Sequence, residues 1–252
     1  MNAMPNSRMP LVLLAALFAL SLPHALAASL PDDQTLESAE AGQVPPLSGD
    51  QASHLAQFTD PQLPAAQVAA ILARYAFVDP EHRVPRVLLD RALVFFDVNK
   101  ALIENQRYLT VIDFSMPSKA VRFHVIDMGS GAVTSYHCAH GKGSDPQNTG
   151  TAARFGNVAN SEMSSLGYYH TGETYSGVHG LSLRLDGLSS TNSNVRARAV
   201  VVHGADYVED SDVKAGRSWG CPAVPMADHA RVVAALKGGS IMFAGQSGGA
   251  GR

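Results

Sequence analysis

Two short stretches carry residue types that could do covalent chemistry: His203-Gly204-Ala205-Asp206-Tyr207-Val208, and Gly216-Arg217-Ser218-Trp219-Gly220-Cys221-Pro222-Ala223-Val224. A thiol attacks as thiolate, so it needs a base or a cation nearby, and the oxyanion it creates needs N–H donors. His203 can serve as the base. Cys221 lies between Gly220 and Pro222, which predicts a tight, rigid turn, and the Gly220 and Cys221 amides are candidate oxyanion donors. Arg217 could meet a substrate carboxylate or stabilise the thiolate, or could be a solvated charge. Ser218 could line the site or only cap the turn. Trp219, Tyr175 and His179 are further candidates for substrate contact, with a structural histidine an equal reading of His179.

Other chemistries use the same residues less well. An isolated His or Cys is more often a core residue than a catalyst, and in an oxidising compartment Cys138 and Cys221 could simply pair. The matched glycines around Cys221 argue for a free, reactive thiol, with Cys138 a small apolar filler. A metal reading starts from His203 and Asp210, but no second ligand pair follows. His137-Cys138-x-His140 on a strand would send neighbouring side chains to opposite faces. No metal and no cofactor is therefore expected, and phosphate-loop, coenzyme and nucleic-acid motifs are absent.

The elements needed to position these residues can be read from hydrophobic period. Pro64 opens a helix with Val68, Ile71, Leu72 and Tyr75 on one face, ending before Asp79-Pro80. A second helix begins after Pro85, with Leu88, Ala92, Phe95 and Leu102 on its inner face. Alternation then predicts strands at 108–114 and 121–127, the latter joined through Gly129-Ser130-Gly131 to a third at 132–139. Residues 141–194 read as a long Gly/Ser/Thr/Asn-rich region interrupted only by His179 to Leu185, and loops of that length are usually functional. The apolar run 197–202 predicts a strand buried on both faces that delivers His203 at its mouth. A helix over 226–236 and a short strand over 240–244 complete an α+β domain built mainly on strands.

The rest of the chain bounds the partners. The 252 residues carry 19 Lys+Arg against 22 Asp+Glu, a net charge of −3, which argues against a nucleic-acid binder working through bulk positive charge. Residues 1–27 read as a signal peptide: Arg8, an apolar run from Leu11 to Leu22, Pro23, then Ala25-Leu26-Ala27. That run is too short to span a hydrocarbon core of ~30 Å, so export with no stable membrane span after cleavage is expected. Residues 28–63, acidic and proline-containing without Lys or Arg, read as a mostly disordered linker. The catalytic domain is expected over 64–245, and 246–252 as a flexible tail.

The motif resembles that of L,D-transpeptidases (YkuD type): a His, a spacer, then Ser/Thr-His-Gly-Cys. Fourteen residues separate His203 from Ser218, which fits the family spacing. Trp219 stands where the family has a second His, and Ala223 where an Asn or Arg follows. Both departures fit a divergent branch, the murein L,D-transpeptidase catalytic domain, which reads Gly-Arg-Ser-x-Gly-Cys-Pro-Ala-Val. The likeness extends through Ser164-Ser165-Leu166-Gly167, Thr171 to Gly177 and His179 to Leu185. It implies a mainly β catalytic domain (mixed sheets or a β-sandwich) with N-terminal helices packed on it, in the periplasm or outside the cell. It also implies a cysteine acyltransferase acting on peptidoglycan stem peptides. The Cys221 thiolate would attack the stem-tetrapeptide carbonyl, release D-Ala, and pass the acyl group to an amine (a 3–3 cross-link) or to water. His203 would be the base, oriented by the Gly204 carbonyl. The alternatives are an L,D-carboxypeptidase working mainly by hydrolysis and a non-catalytic wall-binding protein.

Overall fold

The computed structural model describes residue 1 and residues 44–249; the expected signal peptide and the first part of the expected linker lie outside them. Four α-helices and ten strands occur among the described residues. The helices are α1 (Gly49–Leu55), α2 (Ala65–Arg74), α3 (Arg86–Val98) and α4 (His229–Leu236). The strands are β1 (Tyr108–Asp113), β2 (Phe123–Asp127), β3 (Val133–Tyr136), β4 (His140–Gly141), β5 (Gly167–Gly177), β6 (Gly180–Gly187), β7 (Val201–Ala205), β8 (Arg217–Ser218), β9 (Ala223–Pro225) and β10 (Ile241–Gly245). The fold is α+β and mainly β. Eight strands form one mixed sheet in the order β3-β2-β1-β10-β5-β6-β7-β9, and β4 and β8 form a separate two-stranded sheet.

Helices cover both faces of the large sheet, and strand alternation decides which residue meets which layer. Ile241 and Phe243 of β10 pack with Leu88, Leu89, Ala92 and Phe95 of α3. Met242 and Ala244, their neighbours, pack with Val232, Val233 and Leu236 of α4. Phe95 of α3 stacks on Tyr168 at 3.9 Å, and Tyr168 on Phe243 at 4.6 Å. Each such fully buried side chain contributes about 1.5–3 kcal/mol. Among the described residues no helix is long and apolar enough to cross a membrane.

Four local expectations need correcting. Residues 49–55, inside the expected linker, form α1. Its Ser48 side chain accepts from the Gln51 amide while the Gln51 side chain accepts from the Ser48 amide, a reciprocal cap that outweighs the segment's polar composition. The long region 141–194 contains all of β5 and β6, an antiparallel hairpin. The strand expected at 197–202 begins only at Val201, because Ala199 takes φ 53° and the preceding residues form turns. His203 and Gly204 are therefore inside β7 rather than beyond its end. The expected tail includes a 3-10 turn at Ser247–Gly249, tied down by the Ser247 amide and hydroxyl donating to Asp113 at 3.1 and 2.5 Å.

Candidate active site

Parallel pairing of β7 with β9 matches His203 to Ala223 and Gly204 to Val224. That register puts the Gly220-Cys221 turn at the entry to β9, beside the beginning of β7. The Cys221 sulfur accepts the Val201 amide at 3.4 Å and lies 3.8 Å from the Ala199 carbonyl oxygen. The sulfur thus has one backbone donor and one backbone acceptor beside it.

The turn is built by hydrogen bonds on every side. Ser218 Oγ donates to the Cys221 carbonyl at 2.7 Å and accepts from the Gly220 amide at 3.1 Å. Ser164 Oγ donates to the Gly220 carbonyl at 3.1 Å and accepts from the Gly141 amide at 3.0 Å. Gly220 has φ 121°, and a Cβ there would lie 2.7 Å from the Met163 carbonyl oxygen, so only glycine satisfies both backbone and space. For the Gly220 amide to hold an oxyanion, it would have to exchange Ser218 Oγ for it. Ser218 itself is buried, with its hydroxyl used on both sides of the turn, which is the capping alternative of the sequence reading rather than the substrate-contact one.

His203 is fully buried. Its Nδ1 lies 2.9 Å from the Gly204 carbonyl oxygen, which fixes Nδ1 as the protonated nitrogen and Nε2 as the base. Nε2 is buried and makes no hydrogen bond among the described residues. Burial pushes the imidazole down to about 3, with His179 and His229 adding to the shift and the Gly204 carbonyl opposing it. The resting group is a neutral imidazole, able to accept a proton but not to act as a standing cation beside the thiol. Gly204 has its own packing reason: a Cβ there would lie 2.7 Å from the His229 ring.

Of the other candidates, His179 makes a direct ring contact with His203. His179, in the turn joining β5 to β6, stacks on His203 with ring centroids 4.2 Å apart. Tyr175 pairs with Ser182 across the β5–β6 hairpin, and the Arg184 guanidinium lies 4.0 Å over its ring. Trp219, half-buried, carries the Lys142 ammonium 5.0 Å over its ring. Arg217 donates to the Asp145 carbonyl, so its guanidinium is partly spent on the fold. Neither cysteine forms a disulfide among the described residues, and both are buried. Cys138 is pushed up to about 12 by burial, with Arg122 opposing, a thiol that stays protonated.

Supporting residues beyond the motif hold the turn from behind. Arg198 donates to the Met163 carbonyl at 2.5 Å, the Gly156 carbonyl at 3.0 Å and Ser165 Oγ at 2.8 Å, and so fixes the Met163 segment against Gly220. Arg122, fully buried, donates to the Cys138 and Met116 carbonyls and lies 2.7 Å from His140 Nδ1. This fixes β4, which pairs with β8 at Arg217 and Ser218. Neither arginine has a local sequence signal: each lies far from the motif, and only the packed fold brings it there.

Residues 81–244 match the family model of the L,D-transpeptidase catalytic domain. Among solved structures, the chain is similar to L,D-transpeptidase LdtMt1 in complex with imipenem, at 16% identity over 55% of this chain and 59% of that one, TM-score 0.35. It is also similar to an L,D-transpeptidase from Xylanimonas cellulosilytica, at 13% identity over 55% and 60% of the two chains, TM-score 0.33. A third is the helical cell shape determining protein Pgp2 from Campylobacter jejuni, at 10% identity over 55% and 47%, TM-score 0.34. In each case the aligned part spans less than two thirds of the other chain. Among curated proteins, none matches significantly.

Proposed function

This chain belongs to the family of L,D-transpeptidase catalytic domains, and from that premise we propose that it is an exported, cysteine-dependent acyltransferase acting on peptidoglycan stem peptides. Cys221 is the nucleophile and His203 the base. The observation that carries the assignment is the His203 ring, whose Nδ1 is held by the Gly204 carbonyl while its buried Nε2 is left without a hydrogen bond, on the strand whose first amide touches the Cys221 sulfur.

In this reading the Cys221 proton passes to His203 Nε2 as sulfur attacks the carbonyl of a stem tetrapeptide. The imidazolium then gives that proton to the departing amine of D-Ala, leaving a thioester. An acceptor amine, deprotonated by the same Nε2, attacks the thioester and breaks its C–S bond; the departing Cys221 sulfur takes the proton back from Nε2, leaving the 3–3 cross-linked product, or the tripeptide when water attacks instead. Because burial disfavours the imidazolium, proton transfer is coupled to attack rather than preceding it, and the developing oxyanion offsets the new positive charge. His179 and Trp219 border the site and are proposed, with Tyr175 and Arg217, to contact the stem peptide. Trp219 leaves a single histidine in the motif, and His179 places a second imidazole against the first from another element.

The decisive experiment incubates the protein with disaccharide-tetrapeptide and reads the products by mass spectrometry. A 3–3 dimer or a tripeptide, lost in Cys221→Ser and reduced about 10²–10⁴-fold in His203→Ala, is expected. A carbapenem should add its mass to Cys221. Unchanged tetrapeptide with the wild-type protein, or near-normal turnover by a folded Cys221→Ser variant, overturns the proposal.

A further inference from the structure

On the far side of β5 from the hairpin turn, three side chains from three separate elements point at one another. His54 is on α1, Glu104 lies between the 3-10 turn at Lys100–Leu102 and β1, and His170 is on β5. Glu104 Oε1 lies 3.2 Å from His54 Nε2, and Glu104 Oε2 lies 2.8 Å from His170 Nε2. We propose that His54, Glu104 and His170 form a binding site for a divalent cation of the zinc class, which clips α1 to the sheet.

The ligand atoms of the three residues all lie within 4.8 Å of one another. Zinc held by His nitrogen and carboxylate oxygen at ~2.0–2.1 Å has tetrahedral ligand–ligand edges of about 3.3–3.4 Å. The two contacts, 3.2 Å to Oε1 and 2.8 Å to Oε2, are shorter than such an edge, and each imidazole faces its own carboxylate oxygen, so an ion entering between them would push the three groups apart. The donor set of two imidazoles and one carboxylate suits zinc better than magnesium or calcium, which take oxygen.

In the empty site His170 Nε2 is hydrogen-bonded to Glu104 Oε2 at 2.8 Å, a bond that a bound ion would replace. His54 Nε2 is buried and, although 3.2 Å from Oε1, makes no hydrogen bond with it, so this nitrogen lacks the partner that an ion would supply. The three residues also line one cleft of about 560 Å³, together with Gly172, Glu173 and Gly239, so a fourth position is open to water or a small ligand. His170 is buried while His54 and Glu104 retain solvent access, which gives an ion a path in.

Other histidine–carboxylate contacts lack this convergence. His137 meets Asp210 through Nδ1 and Asp212 through Nε2, opposite ends of the ring that cannot share an ion. His140 faces Asp145 with Nε2 while its Nδ1 already meets the Arg122 guanidinium.

The clip would join α1, which carries no buried residue, to β5. Arg196 adds a weaker tie to the same segment by donating to the Pro45 carbonyl at 3.3 Å. The test uses the full chain carrying Cys221→Ala, so that the reactive thiol is not a ligand and the outcome is independent of the acyltransfer proposal. After chelator treatment and dialysis, titration calorimetry with Zn²⁺ alone should give one site per chain. His54→Ala and His170→Ala should each weaken it at least about 100-fold. Co²⁺ should give the intense visible absorption of a four-coordinate site, lost in His54→Ala. Since His54 is partly exposed, that variant should remain folded by circular dichroism, and Zn²⁺ should raise the Tm of the parent but not of the variant. Absence of Zn²⁺ binding, or binding unaltered by both histidine substitutions, overturns the proposal.

Discussion

At the scale of single residues, environment separates the two thiols and the histidines. Cys138 is fully buried, donates its S–H to the Ala139 carbonyl oxygen at 3.1 Å and is pushed up to about 12. Cys138→Ser keeps that donor, so most turnover should remain and iodoacetamide should label Cys221 but not Cys138; alkylation mapped to Cys138 in folded protein would contradict this. His203 makes a second expectation. Its pKa is held at about 3, so kcat/KM measured while the protein stays folded should show no acid limb near the ordinary histidine value of ~6.5. A limb there would mean that the base is more solvated than its burial allows. His203 and Gly204, expected at a strand mouth, lie inside β7, while the turn at Gly220-Cys221 is legible from sequence because its glycine marks it. Arg198 and Arg122 are not, because their partners are carbonyl oxygens of distant segments.

At the scale of elements, the turn before Cys221 depends on one backbone conformation. Gly220→Ala would force a Cβ against the Met163 carbonyl at positive φ, at a cost of about 1–3 kcal/mol, and would displace the sulfur from Val201. Urea unfolding should register the loss, and turnover should fall by more than stability alone explains; a variant with unchanged midpoint and rate would show that the turn is not constrained as described. β1, β2 and α3 follow their apolar pattern closely, although the structure buries both faces of β1 and β2. β5 did not, since Gly167, Gly172 and Gly177 and its hydroxyl residues imitate a loop, and its ladder with β6 shifts register between Thr171 and Thr174. It is a strand because β10 and β6 bond it from both sides, a tertiary cause with no local trace. Around the strand expected at 197–202, Val195 and Val200 both enter the core, but a turn between them replaces its first half.

At the scale of the whole molecule, buried neutral histidines couple folding to pH. Burial lowers His124 to about 4, His140 to about 4 and His203 to about 3. Each is neutral when folded and titrates near ~6.5 when unfolded, so below that pH the unfolded chain binds more protons. Stability is therefore complete above ~6.5 and is lost as the pH falls towards the folded values, with a slope approaching about 4 kcal/mol per pH unit for three protons. Asp127, Asp145 and Glu173, all held below the usual carboxylate range, extend the loss to lower pH. Urea midpoints at about pH 7 and about pH 5 should differ markedly; equal midpoints would mean that these histidines are not neutral in the fold.

The position of β10 has a kinetic consequence. The last strand of the described chain lies in the middle of the large sheet, parallel to β1 through Leu109–Ile241 and antiparallel to β5 through Ile241–His170. Until it inserts, the large sheet is in two pieces, β3-β2-β1 and β5-β6-β7-β9, each with an unpaired inner edge. The pairing that joins them spans most of the domain's length, and contacts that distant in sequence form slowly because a long loop must close first. Assembly of the reactive turn against a completed sheet is thus a late event. Throughout that wait the two raw edges are open to other chains, so the nascent protein is at its most aggregation-prone just before it becomes an enzyme.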